Sequence, residues 1–499
     1  MKNSMTKASV AALPVSLLAW TRVNWDLALV AGVIVYFLLR TLYYALTINP
    51  FVPPDEATHM GRVLAFAASD WLPSDSLATY KRGLITHVPN LYYLLMGKLF
   101  HLNLFDMPDL VFVRLLNIPL GFLTVVYAWR WISLFTPCRV ARVLFIVMLT
   151  NTLMFSFLFG TVNYDNLTNL LAAMSVYYLF AFIIGRNPVT LAKFLLCLLL
   201  GALTKEAFLP LAAILCMVLV IHERRRLTAL PEHVIAFLYP LGVRRALLCI
   251  ALVVATATNL SLYGLNLLHY GNLIPSADQV VGLQNAMHYP VFARDYIVKS
   301  YRNGELQYEQ AIELANQFLD PIGRIHTLGL LESARTHELA RRPAMDPLAY
   351  ASWWMHQTVA TGAGLLGHRS LIKDKPYELY PYFVVGILAL LVFVWKWRPN
   401  DCVGTASYAA LIILAYVMIL MWLVNYPIYV STANPYISLQ GRYTFVVLLP
   451  FLGLIAHYLV AYLPGRMQIT VAIAVGAFFV EGDFLFFLMH AGPEWYTSI

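Results

Sequence analysis

Charge is what this chain has least of. Only 12% of its 499 residues are Asp, Glu, Lys or Arg, where soluble domains usually carry roughly 25%. Hydrophobic residues make up 60%, and mean hydropathy is +0.68. These values exclude a soluble globular enzyme and a disordered chain. Cysteine is scarce as well. Cys138, Cys197, Cys216, Cys249 and Cys402 sit in apolar runs or short basic loops and lack metal-ligand spacing. They read as packing residues, which leaves no disulfide framework and no zinc site. No P-loop, GxGxxG, internal repeat or low-complexity tract is present.

What is present is a series of apolar blocks about 20 residues long, the length that crosses a bilayer core. The first span is expected at 25–47, then 108–135, 139–159, 166–185, 189–204, 206–222, 245–270, 380–397, 404–424, 442–463 and 467–490. The fold class is therefore an all-α polytopic membrane bundle of about eleven transmembrane helices. The stretch 189–222 reads either as two short helices broken at Thr204-Lys205-Glu206 or as one long kinked helix. Pro89 to Leu102 is too short to span upright and is expected to lie against the membrane. Residues 1–24 imitate a signal peptide, with Lys2, Lys7 and an apolar run, but lack a small-residue cleavage site; a cytoplasmic interfacial segment is expected instead. The chain thus divides into 1–24, an N-terminal membrane region 25–270 containing a first polar loop 48–88, a polar region 271–379, and a C-terminal membrane region 380–499. The region 271–379 holds ten Lys/Arg and eleven Asp/Glu. With helical stretches at Tyr308–Phe318 and His326–Arg341, it reads as a small, mostly helical lid.

The net charge of +8 reports topology, not nucleic-acid binding, because Lys and Arg mark cytoplasmic loops. With the N-terminus inside, the inner segments carry Arg22, Arg139, Arg142, Arg186, Arg224, Arg225, Arg226, Arg244, Arg245, Lys396, Arg398 and Arg466. Both long polar loops then lie outside. So do 160–165, 204–206 and 425–441, so every polar cluster with chemical potential falls on one face.

The clearest cluster is Pro53-Pro54-Asp55-Glu56-Ala57-Thr58-His59-Met60-Gly61-Arg62. Pro54 can open a helix whose first turn holds both acids, with Asp55, His59 and Arg62 on one face at i, i+4 and i+7. One acid alone would be a solvated helix cap; two acids with His and Arg at the end of a span point to chemistry. Asn163-Tyr164-Asp165-Asn166 is either a tight turn or a second acid, Asp165, facing the cavity of Asp55. Lys205 lies too near hydrocarbon to stay unpaired: it meets Glu206 or an anion. Arg442, followed by Tyr443, either anchors a helix at the headgroups or binds phosphate with its planar fork. Arg82 and His87 in the first loop add phosphate contacts. Together these groups suit transfer from a lipid phosphate. A carboxylate takes a proton from an acceptor hydroxyl, and cations steady the charge growing on the leaving phosphate.

The strings PPDEATHMGR, HVPNLYYLL, NYDNLT, LTKEAFLPL and QGRYTFVVLLP occur in that order. They resemble the GT-C superfamily of polytopic glycosyltransferases, and within it a bacterial family with a Pro-Pro-Asp-Glu-x-x-His motif in the first outer loop. The resemblance covers nearly the whole chain. It implies an inverting transfer from a polyprenyl-phosphate sugar donor to a glycan, lipid or protein acceptor, on the outer face of a bacterial inner membrane. Asp55 would be the base, with Glu56 its neighbour. Lys205 and Arg442 would hold the phosphate. His59, Arg62, Arg82, His87, Asp165 and Tyr443 would complete the substrate site. Some members of the superfamily need a divalent metal; here three firm ligands are not identifiable, so no obligatory cofactor is expected. The partners implied are the lipid donor, the acceptor and membrane lipids. The rival readings are a lipid-diphosphate-dependent polymerase or ligase, a lipid or solute transporter, and a scaffold subunit.

Overall fold

The computed structural model describes residues 24–224, 242–319, 321–339, 345–365, 367, 370–371, 379–397, 405–432, 434–436 and 439–497. The expected N-terminal interfacial segment, Arg225, Arg226, Arg398 and Cys402 lie outside them. Among the described residues the chain is helical with no sheet; a single bridge joins Ile48 to Tyr496. We label the main helices α1 (Trp25–Thr47), α2 (Glu56–Ala67), α3 (Leu91–Phe100), α4 (Asp109–Phe135), α5 (Arg139–Thr150), α6 (Leu153–Phe159), α7 (Asp165–Gly185), α8 (Pro188–Thr204), α9 (Phe208–Glu223) and α10 (Val243–Tyr270). There follow α11 (Pro290–Arg302), α12 (Tyr308–Phe318), α13 (Pro321–Leu339), α14 (Pro347–Ala363), α15 (Tyr380–Lys396), α16 (Thr405–Thr432), α17 (Gly441–Val460) and α18 (Gly465–His490).

Seven of these are long and apolar enough to cross a membrane, eight if the bent pair α5–α6 is one span. The chain is a multi-pass membrane protein. Helices α8, α9 and α15 fill the places of the other expected spans but have only 17, 16 and 17 residues. At 1.5 Å per residue each is roughly 25 Å long, shorter than a hydrocarbon core of about 30 Å. The stretch 189–222 is two helices, broken at Lys205-Glu206-Ala207.

The expected span 139–159 is bent: α5 and α6 meet at 64°. The cause is local. Thr150, Asn151 and Thr152 bond their side chains back to the carbonyls of Ile146, Val147 and Met148, which competes with the helix ladder. Arg40 of α1 then satisfies the break, donating to the Thr150 carbonyl at 2.9 Å and to Asn151 Oδ1 at 3.0 Å. Asp483 of α18 pairs with the same guanidinium. Buried backbone freed from a helix needs such partners inside a membrane.

Helix α7 forms the centre of the bundle, with 78% of its apolar window buried, against 11% for α10 at the periphery. The alternation of chain direction places the segments 48–55, 160–164, 205–207 and 434–440 at one end. The C-terminal segment closes the same end: Asn49 N donates to the Trp495 carbonyl and Thr497 N to that of Thr47, both at 2.9 Å. Above it, α11, α12 and α13 pack around Ala293, Ile297, Ala311, Ala315 and Leu331. Within the region expected as a lid, these three helices form a unit with its own small core.

Candidate active site

The chain leaves α1 through Pro53 and Pro54, and α2 begins only at Glu56. Asp55 is the residue before it, in the left-handed region at φ 58° and ψ 16°. Asp tolerates that conformation better than most residues. The expected helix opening at Pro54 is thus corrected, and Asp55 does not lie on the His59–Arg62 helix face. The left-handed turn separates the two acids. The Asp55 side chain is 56% exposed. Glu56 is fully buried: its Oε1 accepts from Arg114 Nε at 2.9 Å and from the Val162 amide at 2.7 Å, and its Oε2 takes a second Arg114 nitrogen. Arg114 also donates to the Ile48 carbonyl at 2.7 Å. Glu56, expected as a chemical neighbour of Asp55, instead ties the start of α2 to α4 and to the 160–164 turn.

Three segments far apart in sequence converge on Asp55. Asp165, at the first turn of α7, accepts from Lys205 Nζ at 2.6 Å. Arg442 lies 3.6 Å from the other Asp165 oxygen and 3.5 Å from Asp55. Lys205 therefore pairs with Asp165 and not with Glu206, which is exposed; neighbours at a helix break point apart. Arg442 is buried, and its Nε and Nη1 have no hydrogen-bond acceptor among the described residues. Its position is set by Gly441, whose amide donates to Thr361 Oγ1 at 2.7 Å. A Cβ on Gly441 would overlap the Gly362 nitrogen and the Thr358 carbonyl of α14. Tyr443 is held from below, as Tyr416 donates to its carbonyl at 3.2 Å. Its ring lies 4.8 Å from Lys205 Nζ, and the Tyr164 ring 4.4 Å from it. The ammonium thus sits between two aromatic faces, a favourable place for a cation.

His59 and Arg62 of α2 meet on Tyr93 of α3. His59 Nδ1 is 2.6 Å from the Tyr93 hydroxyl, and Arg62 Nη1 is 3.2 Å from it. Arg62 Nη2 donates at 3.2 Å to the hydroxyl of Tyr289, which belongs to the lid. Burial pushes the His59 imidazole down to about 3, with the Arg62 charge adding to the effect. The ring is therefore neutral at physiological pH. Burial lifts the Tyr93 hydroxyl above its ordinary range, so it stays protonated.

Of the ten residues singled out from sequence, Asp55, His59, Arg62, Asp165, Lys205, Arg442 and Tyr443 come together. Glu56 turns inward. Arg82 is exposed on the outside of the site, beside Gly61. His87 lies 3.6 Å from Asp75 and edge-on to Tyr270, which fastens the first loop to α10. Sequence reasoning missed Tyr93, Tyr164, Tyr289 and Arg114. Only the adjacent pair Tyr92-Tyr93 and the Asn-Tyr-Asp-Asn turn gave a signal. No cluster of three His, Cys, Asp or Glu side chains suited to a metal occurs among the described residues.

An apolar cavity of about 180 Å³ is lined by Trp354, Gly362, Ile413, Val417, Thr444 and Phe451 among others. Thr444, which lines it, is two residues from Arg442, although none of Asp55, Asp165, Lys205 and Arg442 lines the cavity.

No known family model matches the chain, and no curated protein is significantly similar to it. Among solved structures, it is similar to the apo crystal structure of ArnT from Cupriavidus metallidurans, with 13% identity and a TM-score of 0.36 over 88% of this chain and 78% of that one. The structure of the same ArnT bound to undecaprenyl phosphate gives 13% identity and a TM-score of 0.35, over 87% and 77% of the two chains. A likeness this loose assigns neither fold nor residue roles.

Proposed function

We propose that this protein is a membrane glycosyltransferase of GT-C type that moves a sugar from a polyprenyl-phosphate donor to a hydroxyl acceptor, with its site on the outer face of a bacterial inner membrane. The observation that carries the reading is the junction of Asp55, Arg442, Lys205 and Asp165. An exposed carboxylate stands 3.5 Å from a buried guanidinium that retains unfilled N–H donors. The motif resemblance of the sequence agrees with it. In this scheme Asp55 takes the proton of the acceptor hydroxyl. The acceptor oxygen bonds to the anomeric carbon from the face opposite the phosphate. The carbon–oxygen bond to phosphate breaks, the electron pair leaves with the polyprenyl phosphate, and the anomeric centre inverts. Arg442 and Lys205 meet the charge that grows on the leaving oxygen, an interaction stronger in the transition state than in the ground state. Asp165 holds both cations in place. The apolar cavity beside Thr444 receives the first part of the lipid tail.

The chemistry asks little of a metal, because two fixed cations supply the countercharge. Asp55→Asn tests the scheme. Proteoliposomes holding equal amounts of folded protein would be supplied with a panel of undecaprenyl-phosphate sugars and envelope acceptors. Transfer by the wild type and a loss of about 10²–10⁴-fold in the variant are expected for a general base. Near-normal transfer by the variant would remove Asp55 from the reaction.

A further inference from the structure

The hydrogens around Tyr93 can be placed by elimination. Every nitrogen of Arg62 is a donor, so Arg62 Nη1, 3.2 Å away, gives a hydrogen to the Tyr93 oxygen. Tyr93 has one hydrogen to give in turn, and the side-chain acceptor within reach is His59 Nδ1, at 2.6 Å. Were Nδ1 protonated, two donors would converge on the Tyr93 oxygen, and the buried Tyr93 hydrogen would lack that acceptor. Nδ1 therefore accepts. A neutral imidazole with Nδ1 accepting carries its hydrogen on Nε2. His59 Nε2 is buried and has no hydrogen-bond partner among the described residues. The ring stands 4.9 Å from that of Tyr164, whose face holds Lys205 Nζ at 4.4 Å. The His59 amide bonds to the Asp55 carbonyl at 2.9 Å. The charges of Asp55, Arg442 and Asp165 act on the His59 ring, so this N–H belongs to a ring beside their pocket.

We propose that His59 donates this Nε2 hydrogen to an oxygen of the sugar donor's phosphate, and that Tyr93 and Arg62 are positioning residues that fix the tautomer. The inference rests on the reading of the pocket as a polyprenyl-phosphate site and adds a third ligand to its anion. In the cluster, two carboxylates, Asp55 and Asp165, already face two cations. A neutral donor adds direction without disturbing that balance. Because Arg62 also holds Tyr289, Tyr289 is connected to His59 through three hydrogen bonds, by way of Arg62 and the Tyr93 hydroxyl.

The test measures binding of undecaprenyl phosphate and of uncharged undecaprenol to purified full-length protein in nanodiscs, with thermal melting as the check on folding. Wild type should prefer the phosphate. His59→Ala should lose about tenfold of that preference. His59→Gln, whose amide N–H lies near the place of Nε2, should recover most of it, and His59→Asn, which mimics Nδ1, should not. Tyr93→Phe, which leaves His59 intact but unfixed, should lose two- to fivefold. Wild-type preference in folded His59→Ala, or equal rescue by Asn and Gln, overturns the proposal. If His59→Ala does not fold, unchanged preference in Tyr93→Phe overturns it instead. Absence of any preference in the wild type overturns the phosphate-site reading itself. Loss of preference in Arg442→Ala alone leaves that reading standing and removes only the role of His59.

Discussion

A carboxylate can act as a base only if substrate can reach it. Asp55 and Glu56 are adjacent in sequence and divide on this point: Asp55 is half-exposed beside Arg442, and Glu56 is fully buried. The left-handed turn leaves Asp55 at the pocket and sends Glu56 into the bundle, onto Arg114. Breaking a buried ion pair by removing one partner costs about 3–5 kcal/mol. Glu56→Gln should therefore lower the unfolding free energy by that order in detergent, with activity falling only as folded protein is lost. Unchanged stability would mean the pair does not bind α2 to α4. His59 sets a pH dependence. Its folded value of about 3 lies below the ordinary 6.5. Between the two the unfolded chain binds a proton that the folded chain refuses, so stability is present above pH 6.5 and is lost as pH falls toward 3. The slope for one proton is about 1.4 kcal/mol per pH unit. Melting curves between pH 7.5 and 5 should show a shallower decline for His59→Gln than for the wild type; parallel curves would contradict the buried neutral ring. The polar members of this pocket were legible as residue types next to spans. Tyr93, Tyr289 and Arg114 were not, because an aromatic or an arginine in an apolar run looks like packing or anchoring, and a contact across 227 residues, as between Arg62 and Tyr289, leaves no local pattern.

The helices themselves were readable, since hydrophobic runs and flanking prolines report directly on where a chain can cross a bilayer. The break at Lys205-Glu206-Ala207 and the short helix at 91–100 both follow from that. The bend between α5 and α6 was hidden, because Thr150, Asn151 and Thr152 interrupt apolarity too briefly to end a span on hydropathy alone. Close helix approach was hidden as well. Gly441 and Gly362 face each other where α17 meets α14, yet only one has no room for a side chain. A Cβ at Gly441 would overlap α14 backbone, whereas one at Gly362 would stand 3.6 Å from its nearest neighbour. Gly441→Ala should therefore destabilise by about 1–3 kcal/mol, as overpacking does, and displace Arg442 enough to reduce anion binding. Gly362→Ala should change both little. Equal effects of the two substitutions would show that the contact does not set the site. The cavity beside Thr444 makes a further demand. Ile413→Trp should fill it and weaken binding of a long polyprenyl phosphate more than that of a short-chain analogue, measured by competition; equal weakening would separate the cavity from the lipid tail.

Across the whole molecule, alternating chain direction gathers Asp55, Asp165, Lys205 and Arg442 at one end and leaves Arg139, Arg186 and Arg224 toward the other. We propose that this second end, with its excess of Lys and Arg, faces the cytoplasm. On a background without native cysteines, a cysteine at Arg82 should react with a membrane-impermeant maleimide in intact spheroplasts, and one at Arg224 only after lysis. The reverse pattern would put the pocket on the wrong side for an outer-face acceptor. The most direct measurement of the central claim is a cryo-EM map of the purified protein with undecaprenyl phosphate. Phosphate density within hydrogen-bond distance of Arg442 and Lys205, with Asp55 on the open side and the tail entering beside Thr444, is the result expected. Phosphate held at the opposite end of the bundle, or a lipid bound with Arg442 still closed on Asp55, would contradict it.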